Sequence, residues 1–321
     1  MKFLLLAATG LSVTIWCKKK HLSVCLALVL IAIILEGCII FPVVYQGEPT
    51  ASSAYPTETS GRSQEEIEKL FVLLQSREGY HLGTNVELRG NIKVHMFFID
   101  DQESGWDCDS VEEFRNKQII PGLYYLEREA SRYGVLLNFS VESHTMGTVT
   151  GRPLLYDGMI VDTVRDDDNG RNNDGVPKRI AWQLGYEDEG EMFAQLYQEN
   201  DHQEVILLFI VNKDGVSYAS KQIGGSEYNA WVEYSIIFRN HLSGDFGPDE
   251  LMDRVASVAH EILHLYGAID MYEPIERKEL LETLYPNDIM LLDYLDFREM
   301  WVGEHTAYTV GWLDSPPTLQ P

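Results

Sequence analysis

Two histidines and a glutamate, His260, Glu261 and His264, form an H-E-x-x-H motif in the last quarter of the chain. On an α-helix, residues at this spacing lie on the same face, one turn apart, so both imidazoles can reach a single Zn²⁺ ion at about 2.0–2.1 Å. The glutamate lies beside that face, where a general base for a zinc-bound water belongs. The spacing therefore predicts a catalytic zinc helix.

The residues after the motif offer a third ligand. Gly267 can adopt the left-handed conformation that ends a helix, and the chain can then turn back and bring Asp270 to the metal. Three protein ligands leave one position for water, which is typical of catalytic zinc. A helix start at Pro248, followed by apolar residues at helical spacing as far as Tyr266, predicts one helix for the whole motif.

The segment from His260 to Asp270 resembles the zinc-binding consensus of the metzincin clan of metallopeptidases, in the version with aspartate as third ligand, as in snapalysin-like enzymes. Metzincins also have a methionine-containing turn beneath the metal, and the segment 285–290, which ends in Met290, is similar to that element. The resemblance implies a zinc endopeptidase in which the two histidines and the aspartate bind the metal and Glu261 is the general base.

Strand-like and helix-like segments alternate ahead of the zinc helix, which predicts an α+β fold with a twisted mixed β-sheet packed on helices. The predicted strands are Lys93–Ile99, Val135–Val141, Glu204–Val211 and Ala230–Phe238. The third of these is almost entirely apolar and is therefore expected at the centre of the sheet. Helix is expected over 111–133 with a break at Pro121-Gly122, and His95 is expected to be a core residue and not a ligand.

The N-terminal part of the chain predicts export. Residues 1–45 hold two apolar runs separated by Lys18–Lys20, and the second run is long enough to cross a membrane with the lysines on the cytoplasmic side. A membrane anchor is favoured, and a lipoprotein signal with lipidation at Cys38 and a cleaved signal peptide remain open. Each interpretation places a Ser/Thr/Pro-rich linker, 46–62, and a metallopeptidase domain, 63–321, outside the cytoplasm.

Charge and cysteine content narrow the function classes. The formal net charge is −25 at pH 7, which repels nucleic acid and excludes it as a partner. Of the four cysteines, only Cys108 lies beyond residue 45, so the predicted domain has no internal disulfide. Its stability is expected to come from the size of its core and from bound metal ions.

An acidic loop offers a different type of metal site. Asp166, Asp168, Asn172 and Asp174 provide oxygen atoms of the kind that Ca²⁺ binds, and intervening glycines permit tight wrapping. The spacing lacks the closing glutamate of an EF-hand loop. A structural Ca²⁺ site and a solvated acidic loop both remain open.

The expected reaction is hydrolysis of peptide bonds in a peptide or protein substrate, whose backbone would pair with an edge strand. The candidate edge strands are Ala230–Phe238 and Val135–Val141. Candidates for a second donor to the developing oxyanion are Tyr294, His305 and Tyr308.

Two alternatives remain open. In a gluzincin-type zinc hydrolase, Glu279 or Glu282 would replace Asp270 as third ligand. In an exported metal-binding or interaction protein without peptidase activity, the motif would be a relic zinc site, but the adjacent Glu261 favours the enzyme.

Overall fold

The computed structural model describes residues 7–8, 11–12, 83–161, 175–200, 203–220, 232–241, 250–272, 275–291 and 297–317. Contacts divide the chain into two units, Met1–Ala54 and Tyr55–Pro321. In the first unit, the described strands β1 (Ala7–Ala8) and β2 (Leu11–Ser12) pair antiparallel.

The second unit carries the remaining described elements, which alternate between strand and helix. The strands are β3 (Gly90–Asp100), β4 (Leu137–His144), β5 (Leu154–Leu155), β6 (Glu204–Gly215), β7 (Tyr218–Ser220) and β8 (Tyr234–His241). The α-helices are α1 (Cys108–Phe114), α2 (Ile120–Arg132), α3 (Gly175–Leu184), α4 (Glu189–Glu199), α5 (Glu250–Leu265), α6 (Ile275–Leu284) and α7 (Glu304–Thr309). A π turn (Arg115–Ile119) joins α1 to α2, and a 3₁₀ turn (Ile289–Leu291) follows α6.

The strands of the second unit form one mostly parallel sheet with the order β4-β3-β6-β8-β7, and β5 pairs with the end of β3. Within the described part of this sheet, only β7, which pairs with β8, is antiparallel to its neighbour. Helices connect β3 to β4 and β5 to β6, which allows successive strands to run in the same direction. The predicted sheet packed on helices is therefore present, in a mixed α/β fold.

The central position predicted for the apolar strand is confirmed, because β6 lies between β3 and β8. The edge prediction is half correct. β4, which includes most of the predicted Val135–Val141 strand, is an edge strand in the described sheet, whereas β8 lies between β6 and β7. The predicted edge strand Ala230–Phe238 is therefore wrong for its described part, because residues 234–236 pair with the short β7.

The predicted helix break at Pro121-Gly122 is wrong. Pro121 occupies the first turn of α2, and the irregularity precedes it as the π turn, in which the Ile120 N–H donates to the Arg115 carbonyl. A wider turn at this point accommodates a proline that cannot donate a helical hydrogen bond. Gly122 serves packing, because a Cβ atom there would lie 3.2 Å from the carbonyl oxygen of Val255 in α5.

The sheet separates two apolar cores. On one face, alternate β3 residues such as Met96 and Phe98 pack with α2 and α5, including Ile262. On the other face, Phe97 packs with β6 residues and with α3 and α4. Alternation along β3 therefore assigns each side chain to one of two separate cores.

Several predictions fall outside the described residues and stay predictions. These are the membrane or signal segment, except for residues 7–8 and 11–12 of 1–45, the linker 46–62, and the acidic loop with Asp166, Asp168, Asn172 and Asp174. In the part of the chain that the structure describes, no helix combines the length and the apolar character needed to cross a membrane.

Candidate metal centre

Helix α5 holds the H-E-x-x-H motif and ends as the sequence predicts. Gly267 has a φ of 92°, in the left-handed region. Its N–H donates to the His264 carbonyl at 3.0 Å, and the Ala268 N–H donates to the Leu263 carbonyl at 3.1 Å. These two bonds form a Schellman motif, which closes the helix and reverses the chain toward Asp270.

The two histidines and Asp270 bring three ligand atoms together. His260 Nε2 lies 2.9 Å from His264 Nε2. Asp270 Oδ1 lies 3.1 Å from the first of these nitrogens and 3.0 Å from the second. The two histidines are 1% and 7% exposed, so this triangle is sheltered from bulk water. The three residues predicted as ligands are therefore brought together, and within the described residues they form one of two groups whose geometry could hold a metal ion.

Hydrogen bonds on the far side of each imidazole set its tautomer. His260 Nδ1 lies 3.1 Å from the carbonyl oxygen of Ile289, and His264 Nδ1 lies 2.8 Å from that of Ala268. A carbonyl only accepts, so each Nδ1 carries the hydrogen and each neutral Nε2 keeps its lone pair. Two lone pairs and a carboxylate oxygen then face one another, an arrangement that a shared cation stabilises.

The electrostatics of the group also favour positive charge. Burial opposes ionisation of Asp270, but the contacts of its Oδ1 with both imidazoles outweigh it and hold the pKa of that carboxyl well below its usual range. Burial likewise disfavours protonation of His260, but the neighbouring Asp270 outweighs it and raises the pKa of the imidazole. The chemistry of the donor set therefore fits a divalent cation such as Zn²⁺.

Glu261 lies beside the ligand triangle without belonging to it. The residue is 3% exposed, and its negative charge contributes to the raised pKa of His260. The hydroxyl of Ser235 in β8 donates to the backbone carbonyl of Glu261 at 3.4 Å. This contact connects the backbone of the helix to the sheet at the motif itself.

Met290 lies in a buried turn that supports His260. The turn begins at Asn287, whose φ of 76° is one that asparagine tolerates better than most residues. The Met290 carbonyl accepts from the Met271 N–H at 3.0 Å, which ties this turn to the segment just after Asp270. The predicted methionine turn is thus next to the candidate ligands, and the Ile289 carbonyl is its direct contact with them.

Asp288 holds this turn together, a role that the sequence analysis did not predict. Its Oδ1 accepts from the Met290 N–H at 2.8 Å. Its Oδ2 accepts from the Gly303 N–H and the Thr306 hydroxyl, both at 2.9 Å. Burial raises the pKa of Asp288 to about 6 although these donors act in the opposite direction. The position of Asp288 in a Pro-Asn turn could have identified this role, because an aspartate in a turn commonly accepts from the backbone N–H two residues further on.

The other proposed site residues have different surroundings. Glu282 is paired with Lys278 at 3.4 Å, and the side chain of Glu279 lies outside the described part, so the gluzincin-type alternative gains no support. Tyr294 is also outside that part. His305 is 2% exposed and packs against Tyr285, and burial lowers its pKa to about 4. His305 and Tyr308 remain predictions as oxyanion donors.

A second residue group was missed by the sequence analysis. His95 is buried, as predicted, but its ring also meets His144 and Glu142 of β4, and this group too could hold a metal ion. The detectable signal was Glu142-x-His144, because residues two apart on a strand point to the same side.

The chain matches no protein-family model. No curated protein matches it either. The metzincin resemblance therefore rests on the residues of the chain itself.

Proposed function

We propose that this chain is an exported, membrane-anchored zinc endopeptidase of the metzincin type. His260, His264 and Asp270 bind Zn²⁺, and Glu261 is the general base. The proposal is carried by one observation, the convergence of the three ligand atoms to within 3.1 Å of one another. Two imidazoles and a carboxylate are a donor set of catalytic zinc sites, whereas structural sites use four protein ligands. Export and anchorage rest on the apolar N-terminal sequence alone.

Zn²⁺, when bound, supplies a Lewis acid that polarises a carbonyl and acidifies a water molecule. The residues of the chain perform the proton transfers. The Glu261 carboxylate accepts the proton of the attacking water and then gives it to the leaving amine. Because Glu261 is 3% exposed, its charge acts in surroundings where solvent screens little. The backbone carbonyls at Ala268 and Ile289 hold both imidazoles in the tautomer that presents Nε2.

The position of β7 supports a peptide as substrate. β7 is an edge strand in the described sheet and packs near α5. Its Ala219 pairs with Ser235 of β8, the residue whose hydroxyl contacts the Glu261 carbonyl. An extended peptide that adds to the outer edge of β7 would therefore run alongside the zinc helix, bound by main-chain hydrogen bonds.

The test is cleavage of casein and of a quenched peptide library by the full-length chain in mild detergent, with bound metal measured on the same sample. We expect chelator-sensitive cleavage. Glu261→Gln should keep its zinc and lose at least about 10²–10⁴-fold in kcat/KM, the usual contribution of a general base. Glu112→Gln makes the same change on the exposed surface of α1 and is the matched control.

Full activity in zinc-loaded Glu261→Gln would refute the assigned base. Zinc binding without cleavage of any peptide would favour the non-enzymatic alternative. Absence of zinc from the wild-type group, with His264→Ala unchanged in metal content, would refute the metal centre itself.

A further inference from the structure

Two adjacent parallel strands bring a second set of zinc-type ligands together. His95 of β3 is opposite Glu142 of β4, and the next same-side residue of β4, His144, is opposite Phe97. His95 Nδ1 lies 2.9 Å from His144 Nε2. The Nε2 atom of His144 also lies 4.0 Å from Glu142 Oε1. The register of one strand pair therefore produces a His₂Glu group.

This group lies on the opposite face of the sheet from the H-E-x-x-H helix. His95 and Phe97 point to the same side of β3, and Phe97 belongs to the core formed with α3 and α4. Both imidazoles stack near Phe97, and His144 lies 4.7 Å from it between ring centroids. The residues are thus independent of the candidate catalytic centre, which packs with Met96 and Phe98 on the other face.

We propose that His95, Glu142 and His144 bind a second zinc ion. Ligands in a tetrahedral zinc site with bonds of about 2.0–2.2 Å are roughly 3.3–3.5 Å apart. The imidazole nitrogens are already near this separation, and Glu142 reaches it by a small movement of a side chain that is 51% exposed. The other carboxylate oxygen is held by Lys93 at 3.2 Å, which keeps Glu142 on this side of the strand pair.

A hydrogen-bonded histidine pair is the competing explanation of the same geometry. The Asn200 amide group donates to the Leu196 carbonyl at 2.7 Å and lies 3.3 Å from His95 Nε2. If it also donates to that Nε2, then His95 Nδ1 carries the hydrogen and donates to His144. Zinc binding moves this hydrogen to Nε2, where it needs an acceptor, so the amide must turn and give up its bond to Leu196.

The role of this ion is to cross-link an edge strand. β4 pairs with β3 alone in the described sheet, and His144 is its last residue. An ion shared by the two strands would resist fraying at the end of β4, and its three protein ligands would leave a fourth position for water.

The experiment is zinc stoichiometry of the full-length chain against a chelator that buffers free Zn²⁺ in the nanomolar range, so that loose binding to surface carboxylates is excluded. We expect two equivalents in the wild type and one in His144→Ala. Ser143→Ala changes the neighbouring residue on the other face of β4 and should keep both. His264→Ala should lose the first ion and keep the second, which separates the two sites.

Asn200→Asp provides a test that misfolding cannot imitate. A carboxylate can accept the hydrogen of His95 Nε2 without turning, and outer carboxylates strengthen zinc binding by about 10–100-fold. The second ion should therefore bind at least about tenfold more tightly in this variant. Zinc should also slow hydrogen exchange of the β4 amides in the wild type and not in His144→Ala. Equal zinc content in the wild type and in His144→Ala would overturn the proposal, whereas a single zinc that only His144→Ala loses would support it and count against the first site.

Discussion

The imidazole of His260 donates from Nδ1 to the carbonyl oxygen of Ile289, 3.1 Å away. This bond joins α5 to a turn that is distant in sequence, and it aims Nε2 at His264 and Asp270. Outer contacts of this kind fix the orientation of metal-ligating histidines in other proteins. The geometry of the candidate centre therefore depends on residues that cannot themselves bind the metal.

Replacement of Asp270 by asparagine should weaken zinc binding at the first site by at least about a hundredfold, because even an outer partner contributes about 10–100-fold. The amide removes the negative charge that both imidazoles contact. Competition with a chromophoric chelator measures the change. Asp109→Asn on the exposed surface of α1 is the control, and equal affinity in both variants would exclude Asp270 as a ligand.

Asp288→Asn should weaken zinc binding by about 10–100-fold. It should also lower the free energy of unfolding by about 1–3 kcal/mol, because an amide nitrogen would face one of the donors that now bond the carboxylate. Chelator competition and denaturant unfolding give the two quantities. Thr306→Val removes one donor to Asp288 and leaves its two backbone donors in place. This variant should lose about 1 kcal/mol in the free energy of unfolding and keep its zinc affinity. Unchanged zinc affinity in Asp288→Asn would mean that Asp288 contributes to the stability of the fold and not to metal binding.

Gly267→Ala should lower the free energy of unfolding by about 1 kcal/mol or more, because a Cβ atom is disfavoured at a φ of 92°. The same change should weaken zinc binding, since this residue reverses the chain toward Asp270. Thermal unfolding with and without zinc tests both effects. Gly105→Ala, where a Cβ atom would meet its nearest neighbour at an ordinary 3.4 Å, should be neutral.

Glu204 should make stability depend on pH. Burial raises its pKa from 4.5 to about 7, although contacts with Tyr266 and the backbone oppose the shift. Between these values the folded chain holds a proton that the unfolded chain has released. The stability from this group is therefore complete below pH 4.5 and falls as the pH rises to about 7, by up to about 1.4 kcal/mol per unit.

Glu204→Gln should remove that slope and make the protein more stable than the wild type at pH 8, because no charge is then buried. Denaturant unfolding from pH 5 to pH 8 measures it, and Glu112→Gln controls for the loss of one carboxylate at an exposed position. If the wild-type dependence of stability on pH persists in Glu204→Gln, then another titratable group causes it.

The local features of the candidate site could be predicted from sequence because they depend on few residues. The helix, its end at Gly267 and the meeting of its histidines with Asp270 all follow from backbone geometry within one short segment. The almost entirely apolar sequence of β6 likewise predicted its central position in the sheet. These features needed no knowledge of how distant segments pair.

The remaining features depend on such pairing. The contact of His95 with His144 requires that β3 and β4 run parallel at one register, because a shift by one residue would send the two side chains to opposite faces. The bond from His260 to Ile289 likewise depends on where the turn packs. The π turn before Pro121 was missed since the usual rule treats proline as a helix break.

The nearness in sequence of His260, His264 and Asp270 has a consequence for the unfolded protein. All three lie on one short stretch, so the loop that a metal ion closes is small and costs little chain entropy. If the site binds zinc as proposed, this stretch would be able to chelate it before the sheet forms. Affinity for the unfolded chain subtracts from the stabilisation that a ligand gives the folded one. An ion at the first site would thus stabilise the fold less than its affinity alone implies, whereas the full ligand set of an ion between β3 and β4 would form only when the two strands pair.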